Sequence, residues 1–192
     1  MNEDLKYRKA EPADAERIME IIRQAQAQMR ALGSRQWQDG YPARADIDRD
    51  IARGYGYVFE KSDAAENPAA AETPQKYDKG TVPGGVIAYG AVVFDGEPAY
   101  GAIDGAWLTG GDYVVLHRLA VADGEKGRGV AAEFMRRTEA LAPGRGVGSF
   151  RVDTNFDNRY MLRMLERLRF AYCGKIIYES GERLAFEKPF EA

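Results

Sequence analysis

The chain has one cysteine, Cys173, and one histidine, His117, among 192 residues. A lone thiol excludes an internal disulfide and any metal site built on clustered cysteines. A lone imidazole leaves a zinc site to be built mostly of carboxylates, and no metal is expected. No apolar run approaches the roughly 20 residues that a bilayer-crossing helix requires. Met1 to Arg8 is polar and lacks the apolar core of a secretory signal. A soluble, cytoplasmic protein without membrane partners is the expectation. Net charge is scarce too. Lys and Arg number 27 against 30 Asp and Glu, a balance of -3, which argues against nucleic-acid binding by bulk electrostatics.

What is present is a globular composition, 45% hydrophobic and 30% charged, in a length that suits a single domain over 1–192. The charge is uneven. Residues 126 to 169 hold ten Lys and Arg against five acids, whereas the 125 residues before them hold fourteen against twenty-one. A basic stretch in an acidic chain points to an anionic ligand there, or to no more than a solvated helix surface.

Hydrophobic periodicity divides the chain into short elements. Leu5 to Ala10 alternates as a strand. Pro12 suits a first helical turn, and Ile18, Ile21, Ile22, Ala25, Met29 and Leu32 form one apolar stripe that Gly33 ends. A second helix is predicted over Arg44 to Arg53 and a strand over Tyr55 to Glu60. Residues from about 61 to 83 carry no apolar period and read as a flexible loop insertion. Strands follow at Gly85 to Phe94 and Tyr113 to Ala122, with an ambiguous stretch, Pro98 to Trp107, between them. Helices from about Arg128 and over Asn158 to Leu168 flank a strand at Ser149 to Asn155, and two strands, Ala171 to Glu179 and Arg183 to Lys188, close the chain. The fold class is mixed α/β around a central sheet.

The chemistry gathers where the strand ending near Val121 runs through a glycine-bearing loop into a helix. Helix-start N–H groups have no intrahelical partner, and the helix dipole adds partial positive charge there. Gly127 and Gly129 let an anion approach the backbone closely, and Lys126 and Arg128 add full charges. The segment is a pyrophosphate cradle or an ordinary glycine turn. A Walker loop needs Gly-Lys-Ser/Thr, which is absent, and a dinucleotide fingerprint needs a third glycine where Ala132 stands.

Leu119-Ala120-Val121 followed by Lys126-Gly127-Arg128-Gly129-Val130-Ala131 resembles the core strand and Arg/Gln-x-x-Gly-x-Gly/Ala loop of the GNAT superfamily of N-acetyltransferases, with Lys126 in place of Arg or Gln. Asn158, Met161, Leu165, Leu168 and Phe170 resemble the family's later segment, with Met161 replacing a small residue and Arg169 a glycine. The resemblance implies a mostly antiparallel sheet splayed at its middle and flanked by about four helices. It implies transfer of an acetyl group from acetyl-CoA to a primary amine by direct attack in a ternary complex. Leu119, Ala120 and Val121 would pair with pantetheine, and the N–H near Ala120 or Val121 would polarise the thioester; the 126–131 loop and Asn158 would hold the rest of the donor.

Proton handling points to His117. On regular strand alternation it shares a face with Leu119, a position resembling the place where several members of the family keep a base, and an imidazole titrates in the useful range. A structural histidine is the alternative. The family's usual acid, a tyrosine seven residues after the helix asparagine, is replaced by Leu165. Trp37 and Tyr41, within a dense mix of aromatic and amide groups at 36–42, together with Trp107 and Tyr100, are the candidate walls of the acceptor pocket. The acceptor is a small-molecule or peptide amine. A non-catalytic CoA-binding sensor is the competing function, and the oligomeric state, a homodimer included, stays open.

Overall fold

The computed structural model describes residues 5–61 and 85–190. The expected insertion at about 61–83 lies outside these residues, except for Lys61. Eight strands form one open sheet: β1 (Leu5–Lys9), β2 (Gly56–Lys61), β3 (Gly85–Val93), β4 (Asp104–Gly105), β5 (Tyr113–Val121), β6 (Ser149–Thr154), β7 (Ala171–Tyr178) and β8 (Gly181–Pro189). Their spatial order is β1-β2-β3-β5-β6-β8-β7-β4. Four helices accompany them among the described residues: α1 (Ala15–Ala31), α2 (Arg44–Ala52), α3 (Val130–Glu139) and α4 (Arg159–Arg167). The ambiguous stretch resolves into a 3₁₀ turn at Pro98–Ala102 and the two-residue strand β4.

Each face of the sheet is covered by the helices whose apolar stripes match it. Ile18, Ile21, Ile22 and Ala25 of α1 and Ile47 of α2 are buried against Val58, Tyr89 and Ala120. Leu32, the last residue of the expected stripe, is 37% exposed, because the helix ends at Ala31. On the other face Val130, Phe134 and Met135 of α3 and Met164 and Leu165 of α4 pack on Phe59, Val92, Val114, Leu116 and Val121. The position of the family's usual tyrosine acid is thus filled by a fully buried core leucine.

Every strand pair is antiparallel except β5–β6. That parallel pairing covers only Tyr113–Val115 against Ser149–Arg151. Beyond it β5 continues on β3 and β6 continues on β8, so the sheet opens at its centre.

A bulge sits on the β5 side of this opening. His117 pairs with Ala91 and Ala120 with Tyr89, so Arg118 and Leu119 together face the single residue Gly90. Gly90 cannot carry a side chain: a Cβ there would meet Leu116 Cδ1 and Phe134 Cε1 at 2.8 Å. Arg118 takes up the extra length at φ 57°, a left-handed conformation uncommon for a long side chain. The bulge overturns the expectation that His117 and Leu119 share a face. Leu116 and Leu119 both join the α3 cluster, whereas Val115 and Ala120 belong to clusters on the opposite face. His117 therefore faces the α1–α2 side, because one extra residue shifts the alternation.

One clamp ties the sheet edge to the start of α1. Arg8 donates Nε to Glu60 at 2.9 Å and Nη1 and Nη2 to Asp14 at 2.7 and 2.9 Å. These hydrogen bonds hold both carboxyls below the ordinary range. A depressed folded value stabilises the fold above the unfolded value near pH ~4 and ceases to do so as pH falls through the folded value. Arg8→Gln should therefore lower stability at pH 7 by about 1–2 kcal/mol. The difference from wild type should shrink below pH ~4, measured by denaturant unfolding across that range.

Candidate active site

The loop from β5 to α3 is built of open backbone. Gly127 and Gly129 stand at φ 78° and 80°, and a Cβ at either would meet nothing within 4 Å. Lys126 N–H donates to Asp123 O, and Glu133 N–H donates to Gly129 O. Between them, the N–H groups of residues 127–132 meet no acceptor among the described residues. Six such donors at a helix N-terminus suit a pyrophosphate. The side chains contribute less than their charges suggested. Lys126 Nζ lies 2.5 Å from Asp123, and Arg128 lies 3.5 Å from Glu125, which also receives Lys61 at 3.2 Å. The attraction for an anion comes mainly from amides and the helix dipole.

The sheet opening lies beside this loop on β5. Ala122 N–H donates to Ile87 O of β3, so by strand alternation the N–H groups of Leu119 and Val121 point toward the opening. An extended chain can pair with that free edge, as in strand addition. Three buried side-chain atoms lack a partner among the described residues: Arg118 Nε, Thr154 Oγ1 and Asn155 Oδ1. They stand on β5, on the last residue of β6 and just after it, the two lips of the opening. Buried polar atoms are ordinarily paired, so each of these three is a place for a ligand or water atom.

His117 Nε2 lies 3.2 Å from Glu97 Oε2, with both side chains about one-fifth exposed. The hydrogen bond from His117 holds the Glu97 carboxyl below its ordinary range despite burial. An imidazole braced by a carboxylate is oriented to exchange a proton at its other nitrogen. Across the opening, Tyr100 donates to Asp153 Oδ1 at 2.7 Å and Tyr178 donates to the same atom at 3.4 Å. Burial, reinforced by Asp153, raises both phenols far above their ordinary value, so both stay protonated.

The residues expected on the acceptor side fall into three environments. Tyr41 is 43% exposed, with its ring centroid 5.5 Å from the Arg118 guanidinium. Trp37, at φ 60°, packs against the α1 cluster. Trp107 donates its indole N–H to Tyr100 O at 2.9 Å and lies under Arg151, whose Cζ is 4.4 Å from the ring. Asn158 caps α4 through Met161 N and donates to Gln36 Oε1 at 3.3 Å, while Ser34 donates to Asp157 at 2.8 Å. The 34–38 loop is thereby fastened to the start of α4. Glu97, Arg118, Asp50 and Asp153 were not singled out from sequence. Gly90, isolated within a strand pattern, was the one signal that could have announced the bulge.

The comparisons with known proteins agree with this geometry. A family model described as "Acetyltransferase (GNAT) family" matches residues 34–170. A GNAT-family acetyltransferase structure from Streptococcus agalactiae is 33% identical, with 98% of this chain and 96% of that one covered at a TM-score of 0.78. One from Listeria monocytogenes is 19% identical over 97% and 95% of the two chains, at 0.67. A chain of the NatC complex bound to Gag peptide and CoA is 13% identical over 98% and 99%, at 0.61. No curated protein matches the sequence. With a family model spanning most of its length and a relative one-third identical end to end, this chain belongs to the GNAT family of acetyltransferases.

Proposed function

We propose that the protein transfers an acetyl group from acetyl-CoA to a primary amine, and that the opening between β5 and β6 is where the two substrates meet. The observation that carries this reading is the conjunction of six unpartnered amides at 127–132 with a free β5 edge leading to His117. The NatC structure, which contains CoA, shares the fold.

Acetyl-CoA supplies the activated thioester. Gly127 to Ala131 take its pyrophosphate, and Leu119 to Val121 line its pantetheine, with the outward N–H of Leu119 or Val121 available to the thioester oxygen. On the acceptor side an ammonium must lose a proton before it can attack. A lysine-like amine with reference pKa ~10.4 pays about 4–5 kcal/mol to be neutral at pH 7, and a placed base contributes ~10²–10⁴ in rate. His117 takes that proton and releases it to solvent; the neutral amine then forms the nitrogen–carbon bond, its second proton leaves to His117, and the carbon–sulfur bond breaks. With Leu165 in the core, the departing thiolate takes its proton from solvent. Trp37, Tyr41 and Trp107 are proposed to shape the acceptor pocket, Tyr41 directly and the other two by packing.

The test is an amine panel incubated with acetyl-CoA, read by released thiol and by the mass of acetylated product. Coupled thiol release and product acetylation are expected. Binding of acetyl-CoA without turnover on any amine would return the non-catalytic sensor reading.

A further inference from the structure

We propose that the acceptor is an amine that also carries a carboxylate, of the amino-acid type, and that the Nε–Nη2 edge of Arg118 binds that carboxylate. The inference rests on the transferase reading above and names its substrate class.

Neighbouring residues of a strand normally point to opposite faces. The left-handed turn at Arg118 breaks this rule and sends His117 and Arg118 to the same side of the sheet, one toward Glu97 and the other toward α2. A long side chain is a poor occupant of that backbone conformation, which glycine or asparagine adopts more readily. The guanidinium itself is what the position retains.

Its surroundings hold it in one orientation. Nη1 donates to both oxygens of Asp50, at 3.2 and 3.0 Å, and Asp50 in turn accepts from the buried Tyr89 hydroxyl at 2.7 Å. The Tyr41 ring packs beside the guanidinium carbon. Asp50 is buried on the inner face of α2. The bonds to Asp50 use Nη1 only, and the Tyr41 hydroxyl also interacts with the guanidinium. Nε is buried without a partner, and Nη2 makes no hydrogen bond among the described residues. Nε and Nη2 form the side-on fork that fits a carboxylate with two parallel hydrogen bonds.

Charge then selects the rest of the ligand. Asp50 already balances Arg118, and Asp46 and Glu97 lie close enough to interact with it. A dianionic phosphate would meet those carboxylates, whereas a zwitterion meets complementary charge at both ends. Its carboxylate lies on Arg118, and its ammonium faces Glu97 and the base His117. In an α-amino acid the two groups are separated by one carbon, which matches recognition by side chains from adjacent residues.

The test uses L-amino acids, each paired with its N-methylamide, plus simple amines, with acetyl-CoA as donor. Wild type should favour the free carboxylate by about 100-fold or more in kcat/KM. Arg118→Lys keeps a cation for Asp50 but has no planar fork. It should lose about 100-fold on amino acids and only a few-fold on the methylamides, with acetyl-CoA affinity unchanged. If that variant unfolds, Arg118→Met combined with Asp50→Asn removes both charges and keeps an acceptor for Tyr89, and the same loss of preference is expected. Equal kcat/KM for acids and amides in wild type overturns the inference, as does a proportional loss on both in the variants. Turnover of no amine at all, with acetyl-CoA still bound, instead overturns the transferase reading on which it stands.

Discussion

Gly129→Glu is expected to weaken acetyl-CoA binding by more than about 100-fold, through bulk and like charge at a site that binds by bare amides. Gly129 stands at φ 80°, where any side chain strains the backbone, but a Cβ there meets no atom within 4 Å. Strain and blockage are therefore separable. Gly129→Ala carries the same conformational cost, about 1–2 kcal/mol, without the carboxylate. It should lower thermal stability as much as the glutamate variant does, yet keep acetyl-CoA affinity within about tenfold. Calorimetric titration of both variants decides. Equal weakening by alanine and glutamate would mean that loop geometry, not anion contact, sets the affinity. Unchanged affinity in the glutamate variant would remove the pyrophosphate from this loop altogether.

The second large effect belongs to His117. His117→Ala should lower kcat/KM by ~10² or more, a loss of about 2.7 kcal/mol in transition-state stabilisation. The sign with pH follows from the role. A protonated imidazole cannot accept the amine proton, so the wild-type rate should rise with pH as His117 becomes neutral. The alanine variant should lack that limb, and His117→Gln should not restore it, because an amide does not accept the proton. Glu97→Gln probes the brace: it keeps a hydrogen-bond partner but removes the carboxylate that orients the imidazole, so the rate should fall while the pH limb that His117→Ala abolishes persists. Identical limbs and similar rates in wild type and His117→Ala would make His117 structural. The profile of kcat/KM against pH with one acceptor gives the answer.

The open loop between β5 and α3 and the element order were legible because both are local. A Gly-x-Gly spacing before a helix start dictates open amides within a few residues, and the α1 and α3 stripes dictate which side of each helix is buried. The segments bounded from the sequence as Arg44–Arg53, Tyr113–Ala122 and Ser149–Asn155 match α2, β5 and β6 to within a residue or so at each end. Leu165, singled out by the family resemblance as the position of the usual tyrosine, is fully buried in the α3–α4 cluster.

What the tertiary structure alone decided is which side chains meet at the opening. Strand alternation put His117 on the face of Leu119, and a single extra residue opposite Gly90 moved it to the other. At Gly90 a Cβ would strike Leu116 of β5 and Phe134 of α3, a close approach of elements far apart in sequence that no period within β5 records. Glu97 beside His117, and Asp50 and Tyr89 around Arg118, are likewise pairings across long separations. Asp50 was not singled out from the sequence, because its burial depends on Tyr89 of a strand that follows it by dozens of residues. Sequence determined that an open, glycine-bearing turn precedes α3 and where it lies. Only the packed sheet determined which imidazole, carboxylate and guanidinium stand together along β5, because a bulge and a break in pairing are properties of strands together.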